Sequence, residues 1–374
     1  MNKNLIAGLM LMMIVSACAG AGPSPTPIPA TPTAVKTATA VPSATPLQPA
    51  PPVAVRRPVP TRTPRPGVPG RRPTPPAGIF TPGAEGPANC KVTSLPLTAL
   101  TDLGTGTYKG SQGGLYPGGA NQPPAAYLQS GLDHAQAIKL LNQAGNSDPN
   151  GKIGLLSIGM SNATMSFTEF QAEANRDPQK NPLLVAVDGA QGAHDAERVK
   201  DIHDNYWTVL GQRISAAGLS NNQIQAVWLQ EGIASETSAF PADARQLQDD
   251  LAEIVQNLDD TFPNLQIIYL SSVTYTGYAT NQLLPEPYSY DGGFAVKWLI
   301  EDHINNNEQG AWLAWGPYLW TNGTKGRSDG FIWECQDVKS DGTHPSSTSG
   351  VQKIAGQLLK FFKGDQTAKS WFVK

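Results

Sequence analysis

The chain has 374 residues, 33 of them proline and most of those before residue 90, with a net charge of −3 and an isoelectric point near 6.0. A weak negative charge excludes nucleic acid or an acidic membrane surface as the main partner. About 285 residues follow the proline-rich part, enough for one large α/β domain with a substantial core.

In chain order the first element is a targeting segment. Lys3 supplies a positive start and Leu5 to Val15 an apolar run, which at ~11 residues is too short for the about 20 that cross a bilayer. The run ends in Val15-Ser16-Ala17-Cys18. This stretch resembles the lipobox of bacterial lipoproteins, in which a signal peptide (here 1–17) is removed and the following cysteine (here Cys18) is lipidated. The resemblance implies an extracytoplasmic protein held to the bacterial cell membrane by its lipid. An ordinary cleaved signal peptide with an incidental cysteine is the plainer alternative. Residues 18–89 are rich in Pro, Thr, Ala and Ser and hold too little apolar surface to offset the entropy of ordering. They are expected to form a disordered, partly polyproline II tether. Arg56, Arg57, Arg62, Arg65, Arg71 and Arg72 make its second half basic, as suits a solvated spacer.

The folded domain is expected over 90–374. With Cys18 assigned to the anchor, Cys90 and Cys335 remain, and in an oxidising compartment a leftover pair forms a disulfide by default. There is no Cys-x-x-Cys, no His-Glu-x-x-His and no other metal-ligand spacing, so neither metal nor cofactor is expected. Gly104 to Pro124 is glycine-rich without the Gly-Lys-Ser/Thr of a phosphate loop and reads as a long structured loop. Leu128 to Ala144 reads as a helix. Then strand 152–158 precedes helix 163–174, and strand Leu183–Val187 runs into Asp188-Gly189. Helix 195–217 follows, with Gly218 as its stop. Next come strand Gln225–Leu229, helix Ala242–Leu258, strand Leu265–Leu270 and helix 291–304. A short strand around Gly330–Trp333 and helix 347–363 end the series. This alternation predicts a three-layer α/β/α domain with a mainly parallel sheet, flavodoxin-like in layering. Ligands in such folds bind beyond the carboxyl ends of the strands. Ser161, Gly189, Gln230 and Ser271 all fall there.

Two motifs at those ends carry chemistry. In Gly159-Met160-Ser161-Asn162 the serine sits on a strand-to-helix turn, where a helix N-terminus favours negative charge. In Asp341-Gly342-Thr343-His344 a single turn can present a carboxylate and an imidazole to one point. The Asp would hold the ring while the ring faces the serine. Taken alone, Asp-Gly-Thr-His is also the composition of an ordinary surface turn.

The order of these motifs resembles the SGNH (GDSL-like) hydrolases over roughly 150 to 363. That family has a serine after the first core strand, a glycine block after the second (here Gly189-Ala190-Gln191-Gly192) and a polar block after the third. It ends in Asp-x-x-His before a last helix. The resemblance implies that Ser161 is the nucleophile, His344 its base and Asp341 the orienter, with the N–H groups of Ser161 and Gly189 facing the oxyanion. It implies a serine esterase acting on acyl esters, with an O-acetylated polysaccharide as a fitting substrate. The chain departs from the family in its third block, Leu229-Gln230-Glu231-Gly232, which lacks the usual asparagine. Gln230 carries the same amide one methylene further out and is the candidate third oxyanion donor. That departure, with Trp312, Trp315, Tyr318, Trp320 and Trp333 in one segment, motivates an alternative: a non-catalytic carbohydrate-binding or adhesion module. Those aromatics read first as core and second as a stacking platform. His194 either lines the same mouth or starts a helix, while His134, His203 and His303 read as surface residues.

Overall fold

The computed structural model describes residues 88–306 and 309–374. The expected signal peptide, the lipidation of Cys18 and the tether fall on 1–87, outside the described residues.

The described chain opens with α1 (Leu100–Leu103) and a small antiparallel hairpin, β1 (Thr107–Tyr108) and β2 (Ser111–Gln112). This is the glycine-rich stretch expected to be a structured loop. Helix α2 (Ala125–Ala137) stops well before the expected Ala144. Beyond it Asn142 turns the chain by accepting the N–H groups of Ala144 and Asn146, each at 3.0 Å. A side-chain oxygen so engaged competes with a helix.

The core then follows the alternation. The remaining elements are β3 (Ile153–Gly159), α3 (Ser161–Arg176), β4 (Leu184–Asp188), α4 (Ala196–Val199), α5 (Asn205–Ala216), β5 (Ile224–Gln230), α6 (Ala242–Thr261), β6 (Ile267–Leu270), α7 (Tyr288–Asn306), β7 (Trp312–Trp315), α8 (Gly350–Gly364) and α9 (Lys369–Phe372). The five long-range strands pair in parallel in the order β4-β3-β5-β6-β7. Counted from β3 this is 2-1-3-4-5, the flavodoxin-like order. Every residue of β3 and β5 is buried, as expected of strands covered on both faces. Helix α3 packs on α8, and α6 on α7. With right-handed crossovers these pairs cover opposite faces. The fold is a three-layer α/β/α domain with a parallel sheet. Its strand order reverses at β3, so the crevice opens at the carboxyl end of the strand that leads into Ser161.

Three further expectations need correction. The fifth strand is Trp312–Trp315, not Gly330–Trp333. The helix expected over 195–217 is two helices, because Asp204 caps a new start by accepting the Tyr206 N–H at 2.8 Å. His303 is buried, not a surface residue. Trp312, Trp315, Tyr318, Trp320 and Trp333 are all buried. Three of the indoles donate inward: Trp312 to the Tyr127 carbonyl, Trp315 to the Leu115 carbonyl and Trp320 to Glu286. These aromatics are core and form no stacking platform, although the buried Trp333 indole N–H has no partner among the described residues. Cys90 and Cys335 are joined in a disulfide, which ties the start of the described domain to the segment just before Asp341.

Candidate active site

Ser161 stands on the turn between β3 and α3. Gly159 makes the turn possible: a Cβ there would lie 2.4 Å from both the Ala163 Cβ and the Gln230 carbonyl oxygen. Met160 is extended at the N-cap, and α3 begins on the serine itself, two residues earlier than expected. The serine N–H therefore has no intrahelical acceptor, and no side chain caps this end. The helix starts at the hydroxyl, with its positive end turned to the crevice.

The other half is brought in by the loop before α8. Ser161 Oγ and His344 Nε2 are 2.8 Å apart, and His344 Nδ1 lies 2.5 Å from Asp341 Oδ2. Asp341 Oδ1 accepts the N–H groups of Thr343 and His344, each at 2.9 Å. Burial alone would raise the Asp341 pKa; the hydrogen bonds from the His344 ring and from the two N–H groups outweigh it, and the net shift is downward. An ionised Asp341 places the ring proton on Nδ1 and leaves the Nε2 lone pair toward the serine. Gly342 is required here. Its φ is +72°, and a Cβ would fall 1.9 Å from the Tyr278 carbonyl oxygen. The loop is closed by Lys339 N–H on the His344 carbonyl at 2.8 Å and by Thr280 N–H on the Asp341 carbonyl at 3.3 Å. Asn162, buried beside the serine, reaches the Thr343 carbonyl at 3.4 Å.

The loop after β4 differs from expectation. Gly189 does not face the serine. Its N–H is spent on Ser157 Oγ at 3.1 Å, and a Cβ there would strike Leu210 and the Ser157 carbonyl. This glycine is needed for packing against β3. Ala190 N–H contacts Asp188 at 3.2 Å, and Gln191 N–H donates to the Gly159 carbonyl at 2.8 Å. The residue alongside Ser161 is Gly192: a Cβ built on it would meet only the Ser161 Cβ, at 3.8 Å. Among the described residues the Gly192 N–H has no hydrogen-bond partner. Gln230 is also a correction. It is 2% exposed and turned inward, with Nε2 donating to the Ser272 carbonyl at 3.0 Å. Its amide is held inside the sheet end and is not offered to the mouth. Ser271 likewise faces inward, accepting from the Trp228 indole. Burial, and then the nearby Asp195 carboxylate, push the Glu231 carboxyl well up.

Sequence reasoning passed over the residues that hold this mouth together. Ser157 donates to Asp188 at 2.7 Å while receiving the Gly189 N–H, and Thr164 of α3 bonds the same carboxylate. Arg213 donates to the carbonyls of Asp188 and Ala190 at 3.1 and 2.7 Å. A signal was present: Ser157 is a lone hydroxyl in a buried strand, and a buried hydroxyl needs partners. His194, expected at the mouth or at a helix start, lies at the mouth and bonds the Gly192 carbonyl at 3.0 Å. Among the described residues no group of three or more His, Cys, Asp or Glu could hold a metal ion.

No protein-family model matches the chain, and no curated protein does. Solved structures do overlap with it. A protein from Arabidopsis thaliana is 13% identical, over 53% of this chain and 67% of that one, with a TM-score of 0.34. An alpha/beta hydrolase from the metagenome of Lake Arreo is 12% identical, over 59% and 99%, with a TM-score of 0.34. Axe2, an acetylxylan esterase from Geobacillus stearothermophilus, is 15% identical, over 59% and 96%, with a TM-score of 0.35. At identities and scores this low the overlaps bear on neither activity nor substrate.

Proposed function

We propose that the protein is a serine esterase. The observation that carries this reading is the continuous row Ser161–His344–Asp341, at 2.8 and 2.5 Å, at the carboxyl end of a parallel sheet. Ser161 Oγ attacks the carbonyl carbon of an ester, and its proton passes to His344 Nε2. The carbonyl oxygen becomes an oxyanion between the N–H groups of Ser161 and Gly192. The tetrahedral intermediate collapses, the bond to the alcohol breaks, and the alcohol leaves with the proton from His344. Water then attacks the acyl-enzyme by the same relay and releases the acid. Two backbone donors, with no side-chain amide, make up the oxyanion site in this reading. The favoured substrate is a short acyl ester such as an O-acetyl group on a polysaccharide. It suits the extracytoplasmic, lipid-anchored location that the lipobox-like Val15–Cys18 stretch motivates. The alternative of a carbohydrate-binding module drew on the missing third-block asparagine and on an aromatic cluster; the cluster is core, and the two backbone donors stand in for the asparagine in this reading. The test is a panel of acyl esters of graded chain length, including acetylated polysaccharide, run on wild type and Ser161→Ala. Wild type should turn over at least the short esters and the variant none. Equal turnover by both would sink the serine mechanism.

A further inference from the structure

The loop beside Ser161 is held in a conformation its own sequence disfavours. Ala193 has φ +61°, a left-handed backbone that costs a residue with a Cβ. Something must hold it, and the holders are visible. His194 Nδ1 contacts the Gly192 carbonyl at 3.0 Å, and Arg198 Nη1 donates to the Ala193 carbonyl at 3.1 Å. Both then meet one carboxylate. Arg198 Nε and Nη2 donate to Asp204 Oδ2 at 3.1 and 2.9 Å, and His194 Nε2 lies 3.3 Å from Asp204 Oδ1. Asp204 is fixed in turn as the N-cap of α5 through the Tyr206 N–H. The ring of that tyrosine packs on His194, and its hydroxyl accepts the Gly159 N–H at 3.2 Å. Upstream, Gln191 N–H is pinned to the Gly159 carbonyl. The unpartnered Gly192 N–H is thus braced on both sides.

We propose that Asp204, His194 and Arg198 form a clamp that orients the Gly192 N–H toward the oxyanion, with all three acting as positioning residues. The proposal rests on the serine-esterase reading. It asks these residues to do nothing to the substrate themselves. They fix the two carbonyls that follow the donor, so that the donor is in place before the reaction starts, which is where an oxyanion site gains most of its effect.

The experiment uses 4-nitrophenyl acetate hydrolysis and fluorophosphonate labelling on wild type, Ser161→Ala, His194→Ala, Arg198→Ala and Asp204→Asn. Asparagine at 204 still caps α5, so that variant should fold while facing Arg198 and His194 with a neutral amide. Each clamp variant should lose about 10- to 100-fold in kcat with KM nearly unchanged. His194→Ala combined with Asp204→Asn should fall no more than about threefold below the worse single variant, because the two act as a unit. Ala193→Gly in the His194→Ala background should recover about fivefold, since glycine takes the left-handed conformation unaided. A purely structural role would lower the melting temperature and leave kcat of the folded protein alone, and that result overturns the clamp. So does a loss confined to KM. If the clamp variants stay within about threefold of wild type in kcat while Ser161→Ala is dead, the clamp fails and the serine reading stands. If wild type neither hydrolyses the ester nor labels at Ser161, both fail.

Discussion

The two loops that flank Ser161 are built in opposite ways. The His344 loop is fixed chiefly by its own backbone, with Thr280 and Asn162 bonding it from outside. Asp341 collects two N–H groups from the next three residues, Gly342 sits where no side chain fits, and the Lys339 N–H closes the ring on the His344 carbonyl. The 189–194 loop is fixed from outside, by Ser157 of β3, Arg213 of α5, and Arg198 and Asp204 around α4 and α5. A loop that carries its own restraints shows up as a short motif. One that borrows them from four places in the chain does not.

The largest effect should come from the self-restrained loop. Asp341→Asn should leave the fold intact and lower kcat about 10⁴-fold, because an amide no longer dictates which ring nitrogen bears the proton. Steady-state rates beside a circular dichroism melt check this. The outside-held loop should answer more mildly, by the 10- to 100-fold argued for the clamp.

A pair of alanines sharpens the comparison inside one loop. At Gly189 a Cβ would come 2.4 Å from Leu210 Cδ1 and 2.5 Å from the Ser157 carbonyl oxygen. Gly189→Ala should therefore cost about 1–3 kcal/mol of stability and leave kcat of the folded fraction within a few-fold. Gly192→Ala meets only the Ser161 Cβ at 3.8 Å. It should leave urea stability within about 0.5 kcal/mol and lower kcat instead. If the two swap these signatures, Gly189 is the oxyanion residue after all.

The smallest effect concerns the shelf under the His344 loop and its response to pH. Gly342 rests against the Tyr278 carbonyl, and Glu286 ties that segment down by accepting from the Thr276 and Tyr290 N–H groups and the Trp320 indole. Burial pushes the Glu286 carboxyl up to about 7 from 4.5. The folded state then keeps a proton that the unfolded state has released between these values, so stability falls as pH rises through that window. The full swing is at most about 3 kcal/mol, less because part of the residue reaches solvent. In Glu286→Gln the fall should flatten, read as urea midpoints at pH 5 and 7.5. Parallel pH dependence in both proteins would show that Glu286 is not its source.

What was legible in the sequence follows the same division. Ser161, Asp341 and His344 could be picked out because each sits next to a backbone feature visible in the chain: a strand end, a glycine, a turn. The sheet was legible as alternating runs, except where burial erased the pattern. Trp312–Trp315 is covered on both faces, so it does not alternate and reads as a cluster of aromatics. The choice between Gly189 and Gly192 depended on which N–H Ser157 had already taken, and Ser157 lies more than thirty residues away. For Gln230 the question was which way a side chain turns at a strand end. The neighbour that settled it, Ser272, lies in the loop after β6, some forty residues on. The break at Asp204 had a local sign, a capping residue inside a helical pattern, which the long apolar periodicity masked.

The central claim is that Ser161 is a nucleophile activated by His344. Intact mass after exposure to a fluorophosphonate, with peptide mapping, tests it most directly. The account predicts one adduct per chain in wild type, mapped to the peptide bearing Ser161, and none at that serine in His344→Ala at the same exposure. An unlabelled wild type, a label on another residue, or equal labelling in His344→Ala would contradict it.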